Sequence, residues 1–133
     1  MSKNQRIRVA QWGLGAMGQG VAKVILAKDG LELVGAFDIS PELAGTDVGE
    51  VLGVGPAGVK ISNDPASILD PEKVDVVTIA TTSWVKKQLP DLKAIISAGI
   101  NVVSIAEEMA APEAQNPEEA VELDALAKEH GVS

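Results

Sequence analysis

The residues from Ile7 to Asp38 constrain this chain more than any others. They join a short apolar run, a glycine loop, an apolar-periodic segment, a second apolar run and a terminal acid. The loop reads Gly13-Leu14-Gly15-Ala16-Met17-Gly18. Between a strand and a helix each glycine serves a separate purpose. Gly13 turns the chain sharply, Gly15 lets backbone approach a pyrophosphate, and Gly18 lets the helix lie close to the sheet. The N–H groups that open such a helix, around Ala16 and Met17, lack intrahelical partners and sit at the positive end of its dipole. They hold an anion without a basic side chain. Asp38 follows Gly18 by twenty residues and closes the second apolar run, where a carboxylate accepts both ribose hydroxyls of an adenosine. A glycine-rich loop alone is weak evidence, but here strand, helix and acid stand where the mechanism needs them. The stretch reads as a dinucleotide-binding βαβ unit, with Gly13, Gly15, Ala16, Met17, Gly18, Asp38 and the adjoining Ile39 as cofactor contacts.

The acid also bears on which dinucleotide. A 2′-phosphate would be repelled by Asp38, and Ile39-Ser40-Pro41-Glu42 offers no Arg or Lys to offset it, so NAD is favoured over NADP. A hydrogen bond from Ser40 to a phosphate leaves NADP as the alternative.

With 133 residues the chain makes one domain, residues 1–133, long enough to bury a core. It has no cysteine and hence no disulfide framework, which fits a cytoplasmic protein. The opening Met1-Ser-Lys-Asn-Gln-Arg is polar and no run approaches membrane-spanning length, so a soluble protein without a membrane partner is expected. A formal charge of −8 repels a phosphate backbone and speaks against nucleic acid. Trp12, Trp84 and Phe37 are the whole aromatic complement, too few for a base-stacking platform.

Arg6 to Trp12 is nearly all apolar on both faces (Ile7, Val9, Ala10, Trp12), as in a central parallel strand covered by helices on each side. Trp12 belongs to the core at that strand's end, or lines the cleft beyond it. The helix from Ala16 to Lys28 carries Met17, Val21, Val24, Ile25 and Leu26 at helical spacing, Met17 reading as packing, and Asp29-Gly30 stops it. Leu31 to Phe37 is the second strand. Ser40-Pro41-Glu42 predicts a turn or two of helix before a glycine-broken loop, and Val59-Lys60-Ile61 a short edge strand. Asn63-Asp64-Pro65 then caps a short helix through Leu69. Val74 to Thr81 is the fourth strand, Leu89 to Ala98 a helix with Pro90 in its first turn or at a kink, and Asn101 to Ile105 the fifth strand. Glu118 to His130 is the last helix, entered through Asn116-Pro117 and ended by Gly131. The pattern is α/β: a Rossmann-type doubly wound parallel sheet of order 3-2-1-4-5 with helices on both faces, its sixth strand expected just where the sequence stops.

Thr81, Thr82 and Ser83 end the fourth strand. They either touch the cofactor's phosphates and nicotinamide ribose or cap the following helix, and the two roles are compatible. His130 suits a helix C-terminus, and no cluster has metal-ligand spacing. Glu107 and Glu108 follow the fifth strand. They are either solvated acids opening a loop or carboxylates at the cleft, where one could hold a substrate ammonium or take its proton. Strand-like alternation would point one inward and its neighbour away.

The segments Val9-Ala10-Gln11-Trp12-Gly13-Leu14-Gly15-Ala16-Met17-Gly18, Asp47-Val48-Gly49-Glu50, Ala80-Thr81-Thr82-Ser83 and Asn101-Val-Val-Ser-Ile-Ala-Glu-Glu-Met resemble the N-terminal half of the 2,4-diaminopentanoate dehydrogenases and related native amine dehydrogenases. More distantly they are similar to dihydrodipicolinate reductases. The resemblance implies NAD(P)-dependent oxidative deamination of a small amine or diamine. A hydride passes to the nicotinamide, the imine is hydrolysed, and ammonia and a ketone result. It also implies that Glu107 engages the amine, with Glu108 as fallback, and that a substrate and homo-oligomerisation region follows this domain. The rival functions are a dihydrodipicolinate reductase-like enzyme and a non-catalytic nucleotide-sensing module.

Overall fold

The computed structural model describes residues 5–133. The rest of the polar opening, residues 1–4, lies outside the described residues. Strand β1 (Ile7–Trp12), helix α1 (Ala16–Ala27) and strand β2 (Leu31–Phe37) form the expected βαβ unit. β1 pairs in parallel with β2 on one side and with β4 (Val76–Ile79) on the other. β3 (Ile61–Ser62) lies beyond β2, and β5 (Asn101–Ser104) beyond β4. The resulting order is β3-β2-β1-β4-β5, in which successive crossovers wind first one way and then the other from β1. This is the doubly wound sheet that the alternating apolar runs predict.

Each face of the sheet has its own core, as a central parallel sheet requires. On one face Ala22 and Ile25 of α1 pack with Leu33, Ala36 and Ile61, joined by Val48 and Leu52 of α2 (Val48–Leu52). On the other, Leu92, Ile95 and Ile96 of α3 (Val85–Ser97) pack on Val77 and Ile79 and meet Leu123 of α5 (Pro117–His130). Trp12 belongs to this second core and meets Phe37 edge-on, ring centroids 4.6 Å apart.

The structure departs from the sequence expectations where local capping decides. The helix expected from Ser40 begins instead after Asp47, whose carboxylate accepts from the N–H groups of Gly49, Ala57 and Gly58, each at 2.8 Å. Three such bonds close the glycine-rich loop around one acid and hold its carboxyl below the usual range, Ala57 contributing most. The edge strand is Ile61–Ser62, because Lys60 is drawn into a bridge with Asp47. Asp64 caps a 3₁₀ turn, Pro65–Ile68, as its sequence suggests. α3 starts four residues earlier than expected and carries Pro90 in its interior. A short helix α4 (Pro112–Gln115), absent from the sequence expectations although Pro112 and Glu113 suit a first turn, precedes α5. Ser133 lies alongside β5. The Val102 N–H donates to its carbonyl at 2.9 Å, and its own N–H donates to Asn101 Oδ1 at 3.0 Å.

Arg8 ties β1 to the start of β4. Its Nε and Nη2 donate to the Asp75 carboxylate at 3.1 and 2.8 Å, and its backbone N–H adds a third bond at 2.8 Å. These bonds bring the Asp75 pKa down to about 2. A carboxyl whose folded pKa lies below its unfolded value of about 3.9 stabilises the fold above that pH, and the contribution is lost as pH falls toward 2. Both side chains are more than a third exposed, so the effect is modest. Asp75→Asn is expected to lower Tm at pH 7 by roughly 2 to 5 °C and to flatten the fall of Tm between about pH 4 and 2, as followed by circular dichroism.

Candidate functional site

The glycine loop is built around three different constraints. Gly13 has φ +98°, and a Cβ there would stand 2.4 Å from the Ala80 carbonyl oxygen. The loop therefore crosses the end of β4 in a conformation and a space that only glycine takes. A Cβ on Gly18 would fall 1.9 Å from the Gly13 carbonyl oxygen, so α1 leaves the loop in close backbone contact. Around Gly15 a Cβ would meet nothing within 4 Å. Its backbone faces open space at the N-terminus of α1, where no side chain caps the helix. The unpartnered amides of the first turn and the open cradle at Gly15 fit an anionic pyrophosphate.

Below the loop lies a residue that the sequence reading does not single out. Gln11 is fully buried; its Nε2 donates to the Gly13 carbonyl at 3.0 Å, and its Oε1 accepts from the Thr78 hydroxyl. The available signal is a polar residue within the most apolar strand. Asp38 stands at the end of β2 as expected. Its Oδ2 accepts from the Leu14 N–H at 2.7 Å and its Oδ1 from the Ser40 N–H at 2.9 Å. Both oxygens are thereby fixed, and each retains acceptor capacity for a ribose hydroxyl.

Two hollows flank the loop over the carboxyl ends of the strands. A cavity of about 450 Å³ is lined by Trp12, Phe37, Asp38, Ile39, Leu69 and Asp91 among others. A groove of about 340 Å³ runs between Gly15, Ala16 and Met17 on one side and Thr81, Thr82, Ser83, Ile105 and Glu107 on the other. Thr81 lines both. Gly13, Asp38 and Ile39 thus gather at one end of the cleft and Gly15, Ala16, Met17, Thr82, Ser83 and Glu107 at the other, while Gly18 lies beneath. Trp12 fills both of its expected roles, core and cavity wall. Met17 is not the packing residue that its helical spacing suggests. It is 69% exposed, because its position on the first turn of α1 faces the groove rather than the sheet. Val24 is likewise exposed.

The residues ending β4 both cap and line the groove. The Thr82 hydroxyl accepts from the Trp84 N–H at 3.3 Å, just ahead of α3. Gln88, fully buried on α3, donates to the Thr81 hydroxyl at 3.2 Å and accepts from the Ser104 hydroxyl at 2.5 Å. This amide, also absent from the sequence expectations, locks the end of β4 to the end of β5.

Residues 107–110 form a 3₁₀ turn rather than a continued strand, so strand alternation does not govern them. They nevertheless separate in role. Glu107 is exposed and lines the groove, and it also borders a second groove of about 310 Å³ formed with Trp84, Ala111 and Gln115. The Ser83 hydroxyl beside it holds its carboxyl below the usual range. Glu108 turns toward α3. Its Oε2 accepts from the Val85 N–H at 2.8 Å and from Asn116 Nδ2 at 3.1 Å. This long-range cap sets the start of α3 at Val85, ahead of Pro90, and no local sequence signal announces it.

Comparison with known proteins places this geometry among others. Residues 7–104 match the family model described as "Dihydrodipicolinate reductase, N-terminus". A 2,4-diaminopentanoate dehydrogenase of Acetoanaerobium sticklandii is 39% identical over 132 residues, 97% of this chain and 37% of that protein. The structure of an amine dehydrogenase from Mycobacterium smegmatis superposes with a TM-score of 0.90 at 38% identity, covering 99% of this chain and 39% of that one. GenD2 from gentamicin A biosynthesis, solved in complex with NAD, superposes with a TM-score of 0.74 at 25% identity over 99% of this chain and 34% of that one. The chain therefore spans little more than a third of the length of these proteins.

Proposed function

The chain belongs to the family of dihydrodipicolinate reductase N-terminal domains, and from that membership and the geometry of the cleft we propose that it is the NAD-binding part of an amine dehydrogenase. The observation that carries the proposal is the placement of one ionised carboxylate, Glu107, at the open end of a groove whose other wall is the Gly15 cradle. In this reading the first-turn amides of α1 around Gly15, Ala16 and Met17 hold the pyrophosphate, Asp38 the adenosine ribose, and Thr81, Thr82 and Ser83 the nicotinamide ribose. The nicotinamide, when bound, supplies a hydride acceptor.

Glu107 then acts on the substrate. A carboxyl held below its usual pKa is charged throughout the neutral range, so it attracts a primary ammonium and fixes the amine-bearing carbon at the groove. The same shift makes it a weak base, and positioning is its larger contribution. Trp84, 54% exposed beside Glu107 and Glu108, offers an apolar wall for the substrate's carbon chain. Glu108, engaged by Val85 and Asn116, positions the turn that carries Glu107. Assembly as a homo-oligomer through a region beyond these residues, and a cytoplasmic location, belong to the same reading. No helix among the described residues is long and apolar enough to cross a membrane.

The cofactor choice is tested at Asp38. Asp38→Gly is expected to weaken NADH binding by about tenfold, the loss of ribose hydrogen bonds to a charged acceptor, and to close the gap to NADPH. Unchanged NADH affinity in a calorimetric titration would remove Asp38 from the ribose site. The activity is tested in the complete gene product, by NAD reduction dependent on a small primary amine or diamine.

A further inference from the structure

Thr81, Thr82 and Ser83 place three hydroxyls after β4, and two of them are committed within the chain. Thr81 accepts from the buried Gln88 amide at 3.2 Å, and Thr82 accepts from the Trp84 N–H at 3.3 Å. The third, on Ser83, lies beside the Glu107 carboxylate. The segments that carry this pair are clasped face to face. The Glu108 N–H donates to the Ser83 carbonyl at 3.3 Å, and the Val85 N–H donates to Glu108 Oε2 at 2.8 Å. Ser83 and Glu107 thereby open on the same groove, opposite Gly15, Ala16 and Met17. Glu107 is long and exposed, so an ammonium meeting it unrestrained would have to order it at an entropic cost. A serine hydroxyl has one proton to donate and lone pairs to spare. Spent on one carboxylate oxygen, that proton fixes the side chain and leaves the other oxygen free.

We propose that Ser83 is a positioning residue for the amine reaction: its hydroxyl donates to the Glu107 carboxylate and keeps it turned into the groove, set to receive a primary ammonium. The proposal rests on the role given to Glu107 above. It is compatible with a contact from Ser83 to the nicotinamide ribose, because the serine oxygen still accepts. A donor favours the charged form of a carboxyl, which is the direction in which Glu107 is shifted. Few other charges act there. Among the described residues lining the two grooves at Glu107, Glu108 is the other titratable group, and α1 and α4 turn no charged side chain into them. Lys86, on the first turn of α3, is drawn to Glu119 at 4.0 Å. Replacing Ser83 by alanine keeps its carbonyl, and hence the bond that holds the turn.

In this polypeptide, carbon-13 detected titration of the Glu107 carboxyl is expected to show a higher midpoint in Ser83→Ala and an unaltered one in Ser83→Thr, which keeps the hydroxyl. In the complete gene product at saturating NAD, Ser83→Ala is expected to lower kcat/KM for a primary amine by about tenfold, and Ser83→Thr to restore it to within about threefold. In a Glu107→Gln background the same Ser83→Ala change is expected to cost less than about twofold, because its effect passes through the carboxylate. An unmoved midpoint in Ser83→Ala, or a further loss of about tenfold in the Glu107→Gln background, would overturn the proposal and leave the role of Glu107 standing. Turnover unaffected by Glu107→Gln alone would overturn that role, and the proposal with it.

Discussion

Gly18→Ala is expected to destabilise the chain by about 3 kcal/mol or more and to abolish NADH binding, because its methyl group would have to occupy the space of the Gly13 carbonyl. The clash is at 1.9 Å and against backbone, so no side-chain rotation relieves it. α1 would have to lift off the loop that Gln11 supports from below. Gly15→Ala supplies the contrast. Its φ of −69° is one that alanine adopts, and nothing lies within 4 Å of the added methyl. Tm is expected to fall by only about 2 to 5 °C, the cost of alanine in place of glycine at a helix N-cap. NADH affinity should still fall by about tenfold or more, since the methyl group projects into the approach of the pyrophosphate. Thermal denaturation and titration of the two variants separate a glycine needed for the fold from a glycine needed for the ligand. Loss of affinity in neither variant would contradict the assignment of the loop.

The second large effect is expected at the turn after β5. Glu107→Gln in the complete gene product should lower kcat/KM for an amine substrate by about a hundredfold or more, and NADH affinity should stay within about twofold. The amide retains the shape of the side chain but cannot pair with an ammonium. Glu108→Ala, one residue along, should act mainly through stability. It removes the charged acceptor at the Val85 N–H and leaves Asn116, itself buried, without its carboxylate partner. A fall in Tm of roughly 4 to 8 °C is expected, equivalent to about 1 to 2 kcal/mol. Turnover unchanged in Glu107→Gln would remove the carboxylate from the reaction.

These two positions also show how far the sequence can be read. The βαβ unit is legible because its signals are local: glycines at fixed spacing, apolar runs with the correct period, and an acid at the end of the second strand. The sheet order follows from the glycine fingerprint, because the doubly wound fold that carries it places its strands in the order 3-2-1-4-5. Errors arise where a contact distant in sequence sets a local boundary. Asp47 gathers amides from residues up to eleven positions away, so it, rather than Ser40, begins the next helix. Glu108 reaches back twenty-three residues to Val85, which carries α3 past a proline that would otherwise mark its start. Met17 misleads for another reason: helical spacing identifies a face, but the first turn of α1 extends beyond the sheet and its face looks into the groove. Gln11 and Gln88 are visible only as polar residues within apolar patterns. Their roles as struts beneath the loop and between β4 and β5 depend on the pairing of strands far apart in the chain.

The most direct test of the central claim is calorimetric titration of this polypeptide with NADH and, separately, with NADPH. Saturable binding of one equivalent of NADH, tighter than NADPH, is the expected result. A chain shown to be folded by circular dichroism that binds neither nucleotide would contradict it.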